Sequence, residues 1–315
     1  MNGQNLTKKE FDRIIKNNLI LSGIPEACFG YATSKNTYSE YYSEDEFDKF
    51  VEDMRSQYPQ HFIKFSGDKS SSENAGGKGG ELVPKTGRYG LMPPKMASVG
   101  SSSRFCYLAL RNGSNSLADN KTFIADDVEF EKECKIFDDI TAAPQLDAYV
   151  SGGECDIFIE AKCHEIFDSH KIVFKEKYRK CLTDIASFKE LIPRLTEGER
   201  EFELPLKGFG INGKSSRFDI KQLICHLLGI ANHKKGCRKR LTYLFFYPIA
   251  SEKADRKKTE SLFLELRDEI RAIFTSEPIA SFCRENQIEL SAIAEHSRVM
   301  EDLTKENTVR LYPEE

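Results

Sequence analysis

Apolar and charged residues alternate with a period of two in the middle of the chain. The alternation runs from 128 to 136 (VEFEKECKI) and predicts a β-strand with one buried face. Two further short strands are predicted over 145–150 (QLDAYV) and 154–167 (ECDIFIEAKCHEIF). Residues 151–153 (SGG) form a connection tight enough for a hairpin. Three consecutive antiparallel strands are therefore expected.

The hydrophobic period changes to that of a helix in the second half of the chain. Apolar residues lie on one helical face over 174–188, over 219–232 and again over 262–273. Between the last two helices, 241–250 (LTYLFFYPIA) is a continuous apolar run, typical of a strand covered on both faces. A strand over 288–294 closes the domain. The pattern predicts an α/β fold with a mixed central sheet flanked by helices.

The N-terminal third carries helix-start signals. Thr7 with Glu10 and Ser43 with Glu46 fit the S/T-x-x-E capping box, so 1–65 is predicted to be a helical extension.

Residues 66–100 differ in composition from the segments on either side. They are rich in glycine, serine and proline, with more basic than acidic residues, and predict a flexible basic loop. Such a loop is either a solvated linker or a mobile flap that closes over a phosphate backbone. A short helix capped by Ser103 and ending near Leu110 then opens the main domain, 101–315.

Composition limits the function classes. Of the 315 residues, 30% are charged and 39% hydrophobic, and the formal net charge is -4. No apolar run approaches the roughly 20 residues that cross a bilayer, and the first residues contain no apolar signal core. We therefore expect a cytoplasmic protein whose nine cysteines are reduced thiols. A nucleic-acid partner would have to meet a local basic surface.

Two carboxylates and one lysine are predicted to converge in the sheet. On the strand 154–167, Glu160 and Lys162 project to the same side, as does His164. The preceding strand carries Asp147, and a tight hairpin would bring Asp147 opposite Glu160. Charges in the middle of a sheet need partners. Two carboxylates can bind Mg²⁺, which activates a water and polarises a phosphate. The lysine orients the attacking water or helps to deprotonate it, and stabilises the developing negative charge.

This arrangement resembles the PD-(D/E)xK motif of restriction-endonuclease-like nucleases. The resemblance covers residues 100–250, where the predicted order α-β-β-β-α-β is similar to the core of that superfamily. It is nearest to a group of bacterial restriction endonucleases with a serine-rich helix start, an LDA strand and an E-x-K-x-x-E strand. The corresponding segments are Ser101–Ser103, Leu146–Ala148 and Glu160–Glu165. One departure is Leu146, which stands where the motif has proline.

The resemblance implies a Mg²⁺-dependent endonuclease that hydrolyses phosphodiester bonds in DNA, with Mn²⁺ as a substitute. Asp147 and Glu160 are then the metal ligands and Lys162 the catalytic lysine. It also implies a restriction or defence role, with repair and mobile-element processing left open. Whether the substrate is DNA or RNA stays open, and a double-strand cutter with one site per chain is expected to be a homodimer.

Three groups of neighbours extend the predicted site. Some branches of the superfamily carry a glutamine on the helix after the motif, and Gln222, with His226 behind it, is the candidate here. The alternative for both is a solvated helix face. Glu131 would reach the metal from the far side or face solvent. Glu165 points away from Glu160 unless the strand bulges, and otherwise braces the sheet or a helix.

A basic cluster follows the glutamine helix. Lys and Arg neutralise phosphates, so these residues are predicted to contact DNA, although one or two such charges commonly complement a helix dipole. The five residues are Lys234, Lys235, Arg238, Lys239 and Arg240.

The sequence also bears on three other functions. The spacing of Cys225, His226, His233 and Cys237 fits no standard zinc site. Adjacent strand residues face opposite sides, so Cys163 and His164 do not form a nucleophile-base pair. The remaining alternative is a catalytically inactive nucleic-acid-binding or assembly module of the same fold.

Overall fold

The secondary structure is described for ten stretches of the computed structural model. These are residues 6–31, 40–66, 81–87, 90–112, 128–136, 143–151, 155–194, 200–233, 238–300 and 308–313. The helices are α1 (Lys8–Leu21), α2 (Glu44–Gln57), α3 (Pro59–Ser66), α4 (Ser102–Leu110), α5 (Arg179–Thr183), α6 (Ala186–Lys189), α7 (Ile220–Asn232), α8 (Lys253–Phe274) and α9 (Glu277–Asn286). The strands are β1 (Lys85–Gly87), β2 (Gly90–Met92), β3 (Val128–Glu133), β4 (Gln145–Val150), β5 (Cys155–Lys162), β6 (Ile172–Lys175), β7 (Glu201–Leu204), β8 (Arg238–Pro248), β9 (Ile288–Ser297) and β10 (Thr308–Tyr312).

A mixed sheet of six strands forms the centre of the α/β fold. Its order is β10-β9-β8-β5-β4-β3. β3, β4 and β5 pair antiparallel, as the alternating pattern predicts, whereas β5, β8 and β9 run parallel. β8 lies between two parallel neighbours, and nearly all of its side chains are buried, which explains its continuous apolar run.

Helices from both halves of the chain pack against this sheet. α4 contacts β4, β5 and β8, α7 and α9 contact β9, and α1 and α8 contact β8. The buried residues of the N-terminal helices belong to the same hydrophobic cluster as the sheet. Thr7 and Glu10 form the predicted capping box of α1, and Ser43 caps α2 by accepting from the backbone N–H of Glu46.

Several predicted boundaries were wrong. The helix expected over 174–188 begins with strand β6, which pairs with β7 to form a small separate sheet, and continues as the short helices α5 and α6. The strand expected to reach residue 167 ends at Lys162. α4 is capped by Ser101, not Ser103, because the Ser101 hydroxyl accepts from the N–H of Arg104.

The segment predicted to be an irregular basic loop contains regular structure. β1 and β2 pair as a small hairpin, and Met96, Ala97 and Val99 are buried. The Met96 carbonyl accepts a hydrogen bond from the buried guanidinium of Arg104 at 3.1 Å. This part of the chain is therefore packed onto the main core directly ahead of α4; residues 67–80 lie outside the described ranges.

None of the helices in the described ranges is both long enough and apolar enough to cross a membrane.

Candidate active site

The hairpin between β4 and β5 brings the two predicted metal ligands together. Ala148 pairs with Ile159, so Asp147 and Glu160 are the next residues along the two antiparallel strands. One carboxylate oxygen of Asp147 accepts a hydrogen bond from the backbone N–H of Ala161 at 2.7 Å. This bond fixes the Asp147 side chain against the strand that carries Glu160 and Lys162.

Lys162, Glu160 and Gln222 form a closed triangle of hydrogen bonds. The Lys162 ammonium donates to Glu160 Oε1 and to Gln222 Oε1, both at 2.7 Å. The Gln222 amide in turn donates to Glu160 Oε1 at 2.8 Å. Gln222 lies in the first turn of α7, where the side chain of Asp219 accepts from its backbone N–H at 2.9 Å. The helix cap thus fixes the first turn of α7, from which Gln222 reaches the sheet.

The charges of this site act strongly on one another. Burial, together with the negative charges of Glu160 and Glu131, raises the pKa of Asp147 well above its ordinary value. Burial alone would lower the pKa of the Lys162 ammonium, but Glu160, Glu165 and Asp147 outweigh burial and raise it. Lys162 is therefore a stable cation that can donate hydrogen bonds to an oxygen atom, and is poorly suited to take up a proton.

Glu131 also faces this cavity. Its backbone has φ 53°, one of two non-glycine residues with positive φ in the described part of the chain. Burial, followed by the charge of Glu81, raises the pKa of the Glu131 carboxyl to about 8; Lys95 acts in the opposite direction. Left-handed backbone in a strand is unfavourable for a glutamate, so the surrounding packing must hold it. Glu131 therefore does not lie on a regular, solvent-facing strand.

Glu165 braces the end of β5. The strand stops at Lys162, and a short turn of helix from His164 to Phe167 follows. The Glu165 carboxylate accepts from the Cys163 N–H at 2.9 Å and from the Ser102 hydroxyl at 2.5 Å. Burial alone would raise the pKa of Glu165, but Lys162, His164 and these hydrogen bonds lower it. The residue links the motif strand to the start of α4.

His226 lies behind Glu160. Its ring is buried, with Nε2 3.8 Å from Glu160 Oε2 and Nδ1 3.5 Å from the Tyr243 hydroxyl. Burial lowers the pKa of His226, although Glu160 acts in the opposite direction. His226 is one turn away from Gln222 on α7, and both side chains reach the same carboxylate. A solvated helix face is therefore excluded for this pair.

These residues line a cavity of about 560 Å³. Seven carboxylates and four Lys or Arg side chains line it, so its walls carry an excess of negative charge. Within the described ranges, no three His, Cys, Asp or Glu side chains form a complete metal cage. Mg²⁺ does not need one, because it commonly binds through one or two carboxylates, waters and substrate phosphate oxygens. Asp147 and Glu160, on adjacent strands, are ligands of the chemical type that such an ion uses.

The predicted basic cluster lies elsewhere. Arg238 pairs with Cys155 at the start of β5, whereas Lys162 ends that strand, about 23 Å away at 3.3 Å per residue. The Lys239 side chain is buried and donates to the Ala231 carbonyl at 3.3 Å. Arg240 pairs with Glu289 at 3.1 Å. Lys239 and Arg240 therefore stabilise this end of the sheet, which corrects the prediction for them; Lys234 and Lys235 lie outside the described residues.

Two other sequence expectations need correction or extension. His164 does not project beside Lys162, because β5 ends first; its Nδ1 lies 3.6 Å from Oδ1 of Asp12 on α1. Asp12 is completely buried, and no hydrogen bond to its carboxylate is present in the described part of the chain. In the sequence, the charged Asp12 interrupts the apolar stripe of α1 next to Phe11, and this interruption indicates a carboxyl group near the core. No such pattern in the sequence marks Lys95 and Glu81, which also line the cavity.

Comparison with known proteins adds no relative: no family model, no curated protein sequence and no solved structure matches the chain.

Proposed function

We propose that the protein is a Mg²⁺-dependent nuclease that hydrolyses the phosphodiester bonds of DNA. The observation that carries the proposal is the hydrogen-bonded triangle of Glu160, Lys162 and Gln222 beside Asp147. The resemblance to PD-(D/E)xK nucleases rests on an Asp strand followed by an E-x-K strand. In some branches a glutamine from a later helix is added, and α7, which follows α5 and α6, carries Gln222. The order α4, β3 to β5, α7, β8 also supports a restriction-endonuclease-like core.

The charge balance of the cavity supports a requirement for a cation. A phosphodiester is an anion, and seven Asp and Glu side chains line the cavity against four Lys and Arg, so the ionised carboxylates among them would repel it. Burial and the neighbouring negative charges raise the pKa values of Asp147 and Glu131. A divalent cation held by Asp147 and Glu160 would relieve this repulsion. When bound, Mg²⁺ polarises a phosphate and lowers the pKa of a coordinated water.

The protein's own residues have distinct roles in this proposal. The Lys162 ammonium donates hydrogen bonds to the attacking water and to the phosphate oxygens as negative charge develops. Gln222 holds Lys162 and Glu160 in a fixed relation through its amide. The Ala161 N–H keeps the Asp147 carboxylate turned toward Glu160. His226, neutral and buried, supports Glu160 from behind.

The decisive experiment is cleavage of a supercoiled plasmid by the wild-type protein with Mg²⁺, with Mn²⁺ and with EDTA. Lys162→Ala should abolish nicking, whereas Lys257→Ala, which removes an exposed lysine on α8, should not. Circular dichroism verifies that both variants fold. Activity that survives in Lys162→Ala would place the chemistry elsewhere.

The alternative, an inactive binding module, predicts a different outcome. The wild-type protein would then retain a DNA duplex in a gel-shift assay but cut neither plasmid DNA nor a single-stranded RNA with any of the metals. All three motif residues are present: Lys162 is hydrogen-bonded to Glu160, and Asp147 accepts from the backbone N–H of the residue between them, which favours the enzyme.

A further inference from the structure

Apart from Lys162 on β5, the cationic side chains that line the candidate active site come from two separate segments of the chain. Lys95 belongs to the packed segment ahead of α4, and Arg217 and Lys221 lie at the start of α7. The acidic floor formed by Asp147 and Glu160 lies in the same cavity. The cavity therefore has cations on two walls contributed by different parts of the fold.

Lys95 is presented by a rigid support. Its ammonium lies 2.7 Å from Glu81 Oε1, while 64% of the Lys95 side chain is exposed. The backbone N–H of Met96 donates to the Glu81 carbonyl at 3.0 Å, and the Met96 side chain is fully buried. Burial alone would lower the pKa of Lys95, but its hydrogen bond and ion pair with Glu81, followed by the charges of Glu131 and Asp147, raise it. Lys95 is therefore a fixed, accessible cation beside the acidic floor.

The part of the cavity wall at the start of α7 is also rigid. Ser216 and His170 exchange two backbone hydrogen bonds of 2.8 and 2.9 Å. Glu269 on α8 accepts from the Ser216 hydroxyl at 2.5 Å and from the Phe218 N–H at 2.8 Å. Lys221 follows directly in the first turn of α7, next to Gln222. It makes no ion pair with any other residue that the structure describes, so its charge is available to a ligand.

Arg217 is less available than Lys221. Its guanidinium lies 3.3 Å from Glu265 of α8, and this ion pair at the rim already occupies part of its charge. Lys95 is also ion paired, to Glu81 at 2.7 Å, but 64% of its side chain is exposed, against 30% for Arg217. Exposure therefore favours Lys95, and the lack of an ion pair within the described residues favours Lys221, for contact with an anion that enters the cavity.

We propose that Lys95 and Lys221 bind the phosphates on either side of the phosphodiester that lies over Asp147 and Glu160. The strand of nucleic acid then crosses the cavity from the segment before α4 to the start of α7. This inference rests on the proposed nuclease function and names its substrate-binding surface. It also gives the N-terminal part of the chain a direct role, in place of the distant cluster around Arg238.

The two lysines act through charge, which gives a specific signature. Each phosphate contact releases counterions, so its loss weakens binding at every sequence and lowers the dependence of affinity on salt. A residue that only supports the fold would change affinity without changing this slope. The distinction is measurable with a fluorescent DNA duplex.

The test measures binding of a 20-bp duplex in Ca²⁺, which is expected to occupy the carboxylates without supporting cleavage. Lys95→Gln and Lys221→Gln should each weaken binding roughly 3- to 10-fold and lower the logarithmic salt slope by about one. Lys95→Arg and Lys221→Arg should restore both quantities. Arg238→Ala is the matched control: its side chain is 71% exposed but lies at the other end of the sheet. It should bind as the wild type does.

Two outcomes separate this inference from the proposed function. If the wild type binds and cleaves DNA but only Arg238→Ala changes the salt slope, the nucleic acid follows another path and the inference is wrong while the nuclease proposal stands. If the wild type neither binds nor cleaves, the nuclease proposal fails and the inference fails with it. Thermal unfolding of each variant verifies that affinity, not folding, has changed.

Discussion

The side-chain oxygen of Gln222 accepts a hydrogen bond from the ammonium of Lys162 at 2.7 Å, across 60 residues of sequence. The nitrogen of the same amide donates to Glu160, the third member of the triangle. An amide suits this position because it offers one acceptor and one donor at a fixed separation. A carboxylate would satisfy Lys162 but would face Glu160 with a second negative charge.

Replacing Gln222 by leucine is expected to reduce Mg²⁺-dependent cleavage by roughly 10- to 100-fold, the usual effect of removing a group that orients metal ligands. Glu160 and Lys162 would keep their own hydrogen bond but lose the partner that fixes both. The half-saturating Mg²⁺ concentration should rise as well. Cleavage is followed as a function of Mg²⁺ for the wild type and for Gln222→Leu.

Lys189→Ala on α6 serves as a control for the Gln222 experiment, because Lys189 is exposed and does not line the cavity. Unchanged activity and metal dependence in Gln222→Leu would show that the amide is a packing residue.

The raised pKa of Glu131 predicts how the stability of the metal-free protein depends on pH. In the folded state the carboxyl keeps its proton up to a pKa of about 8, because it is buried near Glu81 and Glu160. In the unfolded chain it ionises near its ordinary value of 4.5. Between these values unfolding releases a proton, so the free energy of unfolding falls as pH rises. Asp147, whose pKa is also raised, acts in the same direction.

Glu131→Gln removes one of the two carboxyl groups whose pKa is raised in the folded state. Its free energy of unfolding, measured by urea denaturation in EDTA, should fall less than that of the wild type between pH of about 5 and about 8. Glu133→Gln, at an exposed position of the same strand, should behave as the wild type. Parallel pH profiles for all three proteins would contradict the assignment.

The buried Asp12 predicts a strong dependence on its neighbour His164. The Asp12 carboxyl is completely buried, with Nδ1 of His164 3.6 Å from Oδ1, and leaving a buried polar group without its polar neighbour typically costs about 1–3 kcal/mol. His164→Leu is therefore expected to destabilise the protein by this order. The double variant His164→Leu/Asp12→Leu should be more stable than His164→Leu alone, because it no longer contains the buried carboxyl. Urea denaturation of the two single variants and the double variant forms the cycle, and additive losses would show that the two side chains act independently.

Gly100 lies against the same pair. A Cβ added there would fall 2.6 Å from Nδ1 of His164 and still closer to Oδ1 of Asp12. Gly100→Ala is expected to reduce the free energy of unfolding by about 1–3 kcal/mol, as overpacking does elsewhere. Gly213→Ala, where the nearest atom would be 3.2 Å away, makes a milder contact and should lower the free energy of unfolding less. Equal melting temperatures for the two variants would contradict close packing at Gly100.

The sequence determined the parts of this protein that depend on local periodicity. Alternation set the strand β4 at 145–150 to the residue and placed Glu160 and Lys162 on one face of β5. The helical stripe located α7 within one residue, and with it Gln222. These features follow from the geometry of single elements, where side-chain direction repeats every 2 or 3.6 residues.

Only the tertiary structure decided which distant residues meet. Lys95 enters the cavity from a segment whose composition predicted a loop, and Asp12 reaches His164 from the first helix. Lys239, one of the residues predicted to bind DNA, is instead buried at the far end of the sheet. Such contacts depend on how elements pack, and packing is governed by the shape and burial of residues far apart in the chain. The sequence shows that a residue is charged, but the fold determines whether its side chain faces a ligand, an ion-pair partner or the core.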